Sequence, residues 1–191
     1  THIAESPGAA GSSLVVDGSG STLTTVDLRV GVAAAGSLSV LNGGVVNGGF
    51  LIATSAGSEG SSVTVDGAGS RVNGGVTVGF QDRGSLSITN GGVVASNGGF
   101  VGGGGFCYAP CLPGDPTGSS VLVQGAGSQW ISTDFTGYPG SGTLTIGNWA
   151  AGSLTVVDGG TASSTGGTIA ASAGASGSSV VVDGSGSTWT V

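Results

Sequence analysis

Carboxylate side chains are the groups with which this chain could perform acid–base or metal chemistry. It holds ten Asp and Glu against three Lys or Arg and one His, and its formal net charge is −7. One position of an internal repeat carries an acid in four copies and an amide in three. In chain order these residues are Asp17, Asn42, Asp66, Asn90, Gln124, Asp158 and Asp183. A position that accepts amides as readily as acids predicts a turn or a hydrogen-bonded ladder, not a catalytic acid.

Two acids outside this repeat position are the remaining candidates for catalysis. Asp115 and Asp134 fall in separate insertions, and paired carboxylates are the machinery of many polysaccharide-cleaving enzymes. The pair keeps a carbohydrate-active hydrolase or lyase open as an alternative function. The single His is His2, at the very start of the sequence, and no Gly-Asp-Ser-Gly nucleophile motif occurs. We therefore predict that the chain is not an enzyme.

The stretch Asp17-Gly18-Ser19-Gly20 has the composition of a calcium-binding turn. A calcium β-roll, however, needs its acids in tandem about every nine residues. Here the acid position recurs only every 24 residues or more. We predict no metal site and no cofactor.

Cys107 and Cys111 are the only cysteines. Two thiols without further Cys or His nearby make half of a zinc site. The low charge and the Ser-, Thr- and Gly-rich composition are typical of extracellular chains, in which a disulfide that closes a short loop persists. We expect a Cys107–Cys111 disulfide, with two free thiols as the alternative.

The charge balance argues against two classes of partner. Nucleic acid binding needs clustered cations, and an anionic membrane surface also repels an acidic chain. No signal peptide or transmembrane run is visible in the sequence. We expect neither nucleic acid binding nor membrane insertion by this segment.

The elements that must position the candidate residues are seven copies of one repeat. Each copy begins Gly-Ser and carries Asp, Asn or Gln six residues, and Gly seven residues, after the first Gly. The copies start 24 or 25 residues apart, with two intervals of 34. They begin at Gly11, Gly36, Gly60, Gly84, Gly118, Gly152 and Gly177. We expect the shared positions to define the same corner in every copy.

Two types of copy alternate along the chain. Type A reads Gly-Ser-Ser-apolar-x-Val, and its alternation predicts that Val63 and Val65 face inward. Type B reads Gly-Ser-Leu-Ser/Thr-Val/Ile, and here Leu38 and Val40 face inward. The inward positions differ by one residue between the types, which leaves open whether a β-bulge absorbs the difference.

Outward serines of the type B copies form a row. Rows of hydroxyl groups invite an ice-binding interpretation, but a flat ice face needs the same Thr-x-Thr pattern on every coil, and the type A copies break that pattern. We interpret these residues as solvated outer strand positions. They are Ser37, Ser85 and Ser153.

The repeat predicts an all-β fold. Asp-Gly and Asn-Gly between strands favour hairpins, but a meander does not fit a unit of ~24 residues that holds two or three strands of ~5 residues. Stacking like positions of successive units instead gives a parallel β-helix of about seven coils without significant helix. Residues 1–191 form one such segment, roughly 34 Å long at ~4.8 Å per coil.

Two insertions, 102–117 and 132–142, account for the two long intervals. They are rich in Pro and aromatic residues and flank the coil at 118–131. Loops on a rigid scaffold often carry function, and aromatic residues are favoured at recognition sites. The alternative is that the loops only cover a coil edge or pack on each other. The candidate binding residues are Phe106, Tyr108, Asp115, Asp134, Phe135 and Tyr138.

Four stretches carry a family resemblance: GSLSITNGGVV, VTVGFQDRGSLSITNGG, LTIGNWAAGSLTVVDGG and GSSVTVDGAGSRV. They resemble the repeat of passenger domains of bacterial autotransporters (type V secretion), which also occurs in some PEP-CTERM-associated surface proteins. The resemblance covers nearly the whole chain outside the insertions. It implies a right-handed β-helix exported through the outer membrane to the cell surface or secreted. Such passengers usually have few cysteines, and those present come in close pairs, as at Cys107 and Cys111.

The resemblance also implies a set of functions. Passengers of this kind serve as adhesins, aggregation factors, proteases, toxins or spacers, several of them in virulence. We expect an adhesin or a stalk here, with a host-surface protein, a glycan or neighbouring passengers as partners. A pure spacer is a further alternative. The sequence stops within its seventh copy, which we interpret as a fragment of a longer chain.

Overall fold

The computed structural model describes residues 1–103 and 117–191. Within these ranges the only helices are two single 3₁₀ turns, Pro7–Ala9 and Ala173–Ala175. The strands in chain order are β1 (His2–Ile3), β2 (Ser12–Asp17), β3 (Thr22–Val30), β4 (Gly36–Leu41), β5 (Val45–Ile52), β6 (Ser61–Asp66), β7 (Arg71–Asn73), β8 (Val76–Val78), β9 (Gly84–Thr89), β10 (Val93–Ser96), β11 (Gly99–Val101), β12 (Ser119–Gln124), β13 (Gln129–Ser132), β14 (Thr143–Ile146), β15 (Gly152–Val157), β16 (Thr161–Ser163), β17 (Gly166–Ile169), β18 (Ser179–Asp183) and β19 (Thr188–Thr190).

The strands pair in parallel, each with its counterpart one coil away. The first stack contains the repeat strands β2, β4, β6, β9, β12, β15 and β18. The second and third stacks share one twelve-stranded sheet, because β3 and β5 each run through both. In later coils the two stacks have separate strands: β7, β10, β13, β16 and β19 in the second, and β8, β11, β14 and β17 in the third. The chain is thus an all-β parallel solenoid of about seven coils, as predicted.

The core follows from the alternation in the repeat strands. Leu38 and Val40 of a type B copy are buried. They lie in register with Val63 and Val65 of the next type A copy, which are buried too. Burying such a side chain stabilises the fold by roughly 1.5–3 kcal/mol. All four inward assignments are confirmed.

The one-residue difference between the copy types is absorbed by the strand register and not by a bulge. The first Gly of a type B copy lies opposite the second residue of a type A copy, as in the pairs Ser12–Gly36 and Ser61–Gly84. The shared sequence positions thus lie at the same corner of the solenoid, offset by one residue between the two types. Aligning the apolar residues, and not the Gly-Ser letters, gives the structural equivalence.

The Asx position consequently has two structural roles. Asp66 ends its strand and lies opposite Leu41 and Thr89. Asn42 and Asn90 come one residue after their strands and adopt left-handed backbone, with φ of 51° and 52°. Asn tolerates this conformation better than most residues.

The two roles pair with each other across neighbouring coils. The Asn42 amide donates to the Asp17 carboxylate at 2.8 Å, and Asn90 donates to Asp66 at 2.6 Å. Further along, the Gln124 amide donates to Asp158 at 2.8 Å. A hydrogen-bonded ladder is therefore confirmed, and these acids are structural acceptors.

The two adjacent serines of a type A copy also have different roles, one buried and one facing outward. Ser61 of a type A copy is buried, and its hydroxyl donates to the Ser58 carbonyl at 2.6 Å while accepting from the Gly36 N–H at 3.2 Å. Gly31 packs directly above it, with φ of 77°, and a Cβ there would lie 1.8 Å from Ser61 Oγ. No residue larger than glycine fits at that position.

The following serine faces outward and continues a row through both copy types. The register brings the second serine of the type A copies into this row. At the next outward position Val15, Leu122 and Val181 of type A copies lie opposite Ser39 or Thr155, so these copies break the paired hydroxyl pattern. The row comprises Ser13, Ser37, Ser62, Ser85, Ser120, Ser153 and Ser179.

Adjacent serines with opposite environments give a matched test of this register. We expect Ser61→Ala to lower the free energy of unfolding by about 1–3 kcal/mol, because it leaves the buried Gly36 N–H without its acceptor. Ser62→Ala, on the outward side, should change it by less than ~0.5 kcal/mol. Urea unfolding followed by circular dichroism measures both, and equal effects would contradict the register.

Candidate functional site: the third stack between two insertions

The two insertions attach to opposite ends of one strand pair. Insertion 102–117 begins directly after β11, and insertion 132–142 leads directly into β14. These strands pair in parallel, with Phe100 opposite Thr145. Both insertions therefore join the scaffold at the ends of the same patch of the third stack. They leave the coil at 118–131 at its two ends, as the sequence indicated.

Loop 132–142 presents two aromatic side chains to solvent. Phe135 is 56% and Tyr138 67% exposed, and their ring centroids lie 6.0 Å apart at a tilt of 44°. The Tyr138 N–H donates to the Phe135 carbonyl at 2.8 Å, and the Phe135 N–H donates to the Ser141 hydroxyl at 2.6 Å. The rings contact each other, yet a large part of each remains free for a partner.

Asp134 fastens this loop to the scaffold. Its Oδ1 accepts from the Gly142 N–H at 2.8 Å, across the base of the loop, and from the Thr165 hydroxyl of the next coil at 2.7 Å. Hydrogen bonds from Thr165, and then from the backbone of Gly142 and Gly140, hold the pKa of Asp134 below its usual value. A general acid needs a raised pKa, so this environment favours a structural carboxylate.

The remaining sequence candidates all fall in insertion 102–117. Phe106, Cys107, Tyr108, Cys111 and Asp115 lie outside the described residues. The disulfide and the Asp115–Asp134 pair therefore stay predictions.

Trp149 was not among the sequence candidates, although it lies beside the base of insertion 102–117. It is 49% exposed, and a Cβ on Gly103 would lie 2.9 Å from its Cβ. Comparison of equivalent corners in the repeat could have identified Trp149 from the sequence. The corners at 31–36, 79–84 and 147–152 have equal length, and Trp149 takes the position that holds Ala33 and Gln81 elsewhere. A Trp at a corner that otherwise carries a small or polar residue indicates a surface feature.

The patch thus combines exposed aromatic residues at both of its ends with few ionisable groups. Nowhere in the described ranges do three His, Cys, Asp or Glu side chains converge as a metal site requires. No helix in the same ranges has the length and apolarity of a membrane span. Such a surface can bind a partner through stacking and apolar contact.

Comparison with known proteins adds no further assignment: no protein-family model, no curated protein and no solved structure matches this chain.

The Asp134 contacts predict how the loop responds to acid. Because the folded pKa lies below the unfolded value of about 3.9, Asp134 stabilises the closed loop fully above that value and loses the effect as the pH falls through the folded pKa. We expect the protection of the Gly142 amide against hydrogen exchange to hold down to about pH 4 and to decline below it.

Thr165 provides the matched controls. Thr165→Val removes the donor at nearly constant shape and should lower this protection at neutral pH, whereas Thr165→Ser keeps the hydroxyl and should retain it. Global stability should change by less than ~0.5 kcal/mol in both, since residue 165 is exposed. Equal protection in the two variants would show that the Thr165 hydroxyl does not help Asp134 to hold the loop.

Proposed function

We propose that this chain is a non-enzymatic, extracellular segment of a bacterial autotransporter-type passenger, acting as an adhesin or as a stalk that presents binding loops. The observation that carries the proposal is the pair of exposed aromatic residues, Phe135 and Tyr138, on a loop that Asp134 ties to a rigid solenoid. Trp149 supports it from the opposite end of the same strand pair.

The physical basis is the low cost of binding through an ordered loop. Association is weakened when loops and side chains must be ordered on contact. Here two hydrogen bonds to Asp134 and one from Phe135 to Ser141 order the loop beforehand. Aromatic side chains supply much of the energy at recognition sites. This arrangement is the reason for favouring a chain that presents binding loops over a pure spacer.

The cellular setting of the proposal rests on the repeats and the composition. The stacked copies resemble autotransporter passengers, and only 7% of the residues are charged. We place the chain at the bacterial surface or outside the cell. Its partners in this proposal are a host-surface protein, a glycan or a neighbouring passenger.

Exchanging the loop tests the proposal. Residues 133–142 are replaced by Ser-Thr, the two-residue connector that joins β16 to β17 in the next coil. We expect roughly tenfold or more weaker binding from the loss of two aromatic anchors, with an unchanged circular dichroism spectrum. The labelled protein is titrated on fixed epithelial cells and, separately, on surfaces coated with the same chain.

Two point variants complete this experiment. A Phe135→Ala/Tyr138→Ala double variant should reproduce the loss. Val15→Ala, at an apolar residue of the first stack that is 55% exposed, should bind as the native chain does. Native-level binding by both loop variants, or no binding of the native chain to either surface, would contradict the proposed function.

The enzymatic alternative is tested by a separate assay. The hydrogen bonds to Asp134 and its lowered pKa do not suit a general acid. We expect the purified protein to release no reducing ends from neutral or acidic polysaccharides. Release that is lost in Asp134→Asn would replace the proposed function with a hydrolase.

A further inference from the structure

A groove runs along the edge between the second and third stacks. It crosses four coils, which contain β3 (coil 1), β5 (coil 2), β7 and β8 (coil 3), and β10 and β11 (coil 4). It encloses about 290 Å³ and is lined by short segments of four successive coils. Its end in coil 4 borders loop 132–142, because the Gly98 N–H donates to the Ser132 hydroxyl at 2.9 Å. No catalytic group or ladder residue belongs to it.

The floor of the groove is bare backbone. An Asn-Gly-Gly sequence recurs at 47–49, 73–75 and 97–99. Gly49, Gly75 and Gly98 line the groove, and a Cβ on Gly49 would lie 3.1 Å from the Gly75 carbonyl oxygen, so successive corners pack backbone against backbone. Three coil steps give the groove a length of ~15 Å. An extended polymer that follows the solenoid axis can lie on such a floor.

Apolar side chains stand along the groove. Leu51 and Phe100 face outward on the third stack, with Thr77 between them in register. Val26 lies at the opposite end, where Thr25 and Val26 interrupt the pairing of β3 with β5, and it is fully exposed. A bulge turns a side chain to a new direction, and here that side chain lines the groove.

The groove carries no unpaired charge. Its one ionisable residue is Asp27, whose carboxylate accepts from the Arg29 guanidinium at 2.9 Å. The chain as a whole is acidic, at −7, which repels anionic polymers. Asn97 supplies a polar side chain, whose amide donates to the Thr133 carbonyl at 3.5 Å. The lining therefore suits a neutral ligand with both apolar faces and hydroxyl groups.

A peptide strand fits less well. Strand addition needs a free sheet edge, whereas β5, β8 and β11 beside the groove are already hydrogen-bonded to one another. Side-chain contacts alone would have to hold a peptide there.

We infer that this groove binds a neutral polysaccharide chain along the solenoid axis, with sugar rings on Leu51 and Phe100 and hydroxyl groups on Asn97. The inference rests on the proposed function and names the ligand class next to the aromatic loop. The loop and the groove meet at Gly98, so one glycan can contact both.

Titration with defined polysaccharides tests the inference. The probes are mixed-linkage β-glucan, glucomannan, galactan and dextran, with polygalacturonate as the anionic comparison. We expect at least one neutral polymer to bind independently of salt, and Phe100→Ala to weaken it roughly tenfold. Leu51→Ala is the second groove variant. Ile131→Ala, at an outward residue of the second stack, is the matched control and should bind normally. Circular dichroism verifies the fold of each.

Several results would overturn the inference. They are no binding of any neutral polymer, binding of polygalacturonate alone, equal effects of Phe100→Ala and Ile131→Ala, or a dimer in light scattering that Val26→Ser abolishes. Cell binding that depends on loop 132–142, without binding of any neutral polymer, would refute the groove assignment and leave the proposed function standing. Polymer binding that depends on the groove, with no effect of the loop exchange on cell binding, would refute the proposed function and leave the groove assignment standing.

Discussion

The whole structure depends on one constraint: every coil must stack in parallel register on the coil before it. Parallel pairing fixes which residues lie opposite each other, and a slip by one residue would turn the core side chains of a strand to the solvent. Leu38 therefore lies opposite Val63, although the two occupy different positions in their repeats. The hydrogen-bonding serines, the Asx ladder and the glycine at position 31 are all consequences of this register.

The constraint also explains how much could be predicted from the sequence. Alternating apolar residues at a regular spacing were sufficient for the fold class, the number of coils and the inward residues. The one-residue offset between the two types was visible in the apolar pattern, but whether register or a bulge absorbs it depends on the pairing between coils. Ser61 and Ser62 show why: they are chemically identical neighbours, and only pairing with Gly84 and Ser85 assigns one to the interior and one to the surface.

The candidate site was less predictable, since it depends on contacts between coils. The aromatic residues of loop 132–142 were visible as a departure from the repeat, but the fastening of Asp134 to Thr165 spans 31 residues. The groove has a similar origin. Val26 looks like any strand residue until its register against β5 is known. Corners are where such features arise, because their length and side chains can change while the stacks stay in register.

The distribution of acids shows the same constraint acting on charge. Like positions of a solenoid lie only ~4.8 Å apart, and a column of carboxylates at that distance would repel itself. Amides are interspersed instead: Asp17 meets Asn42, Asp66 meets Asn90 and Asp158 meets Gln124. Asp183 accepts from its neighbour, the Gly184 N–H, at 2.8 Å. Amides separate Asp17, Asp66 and Asp158 from one another, whereas Asp158 and Asp183 lie in consecutive coils. Each acid can therefore serve as a structural acceptor with at most one other acid beside it in the column.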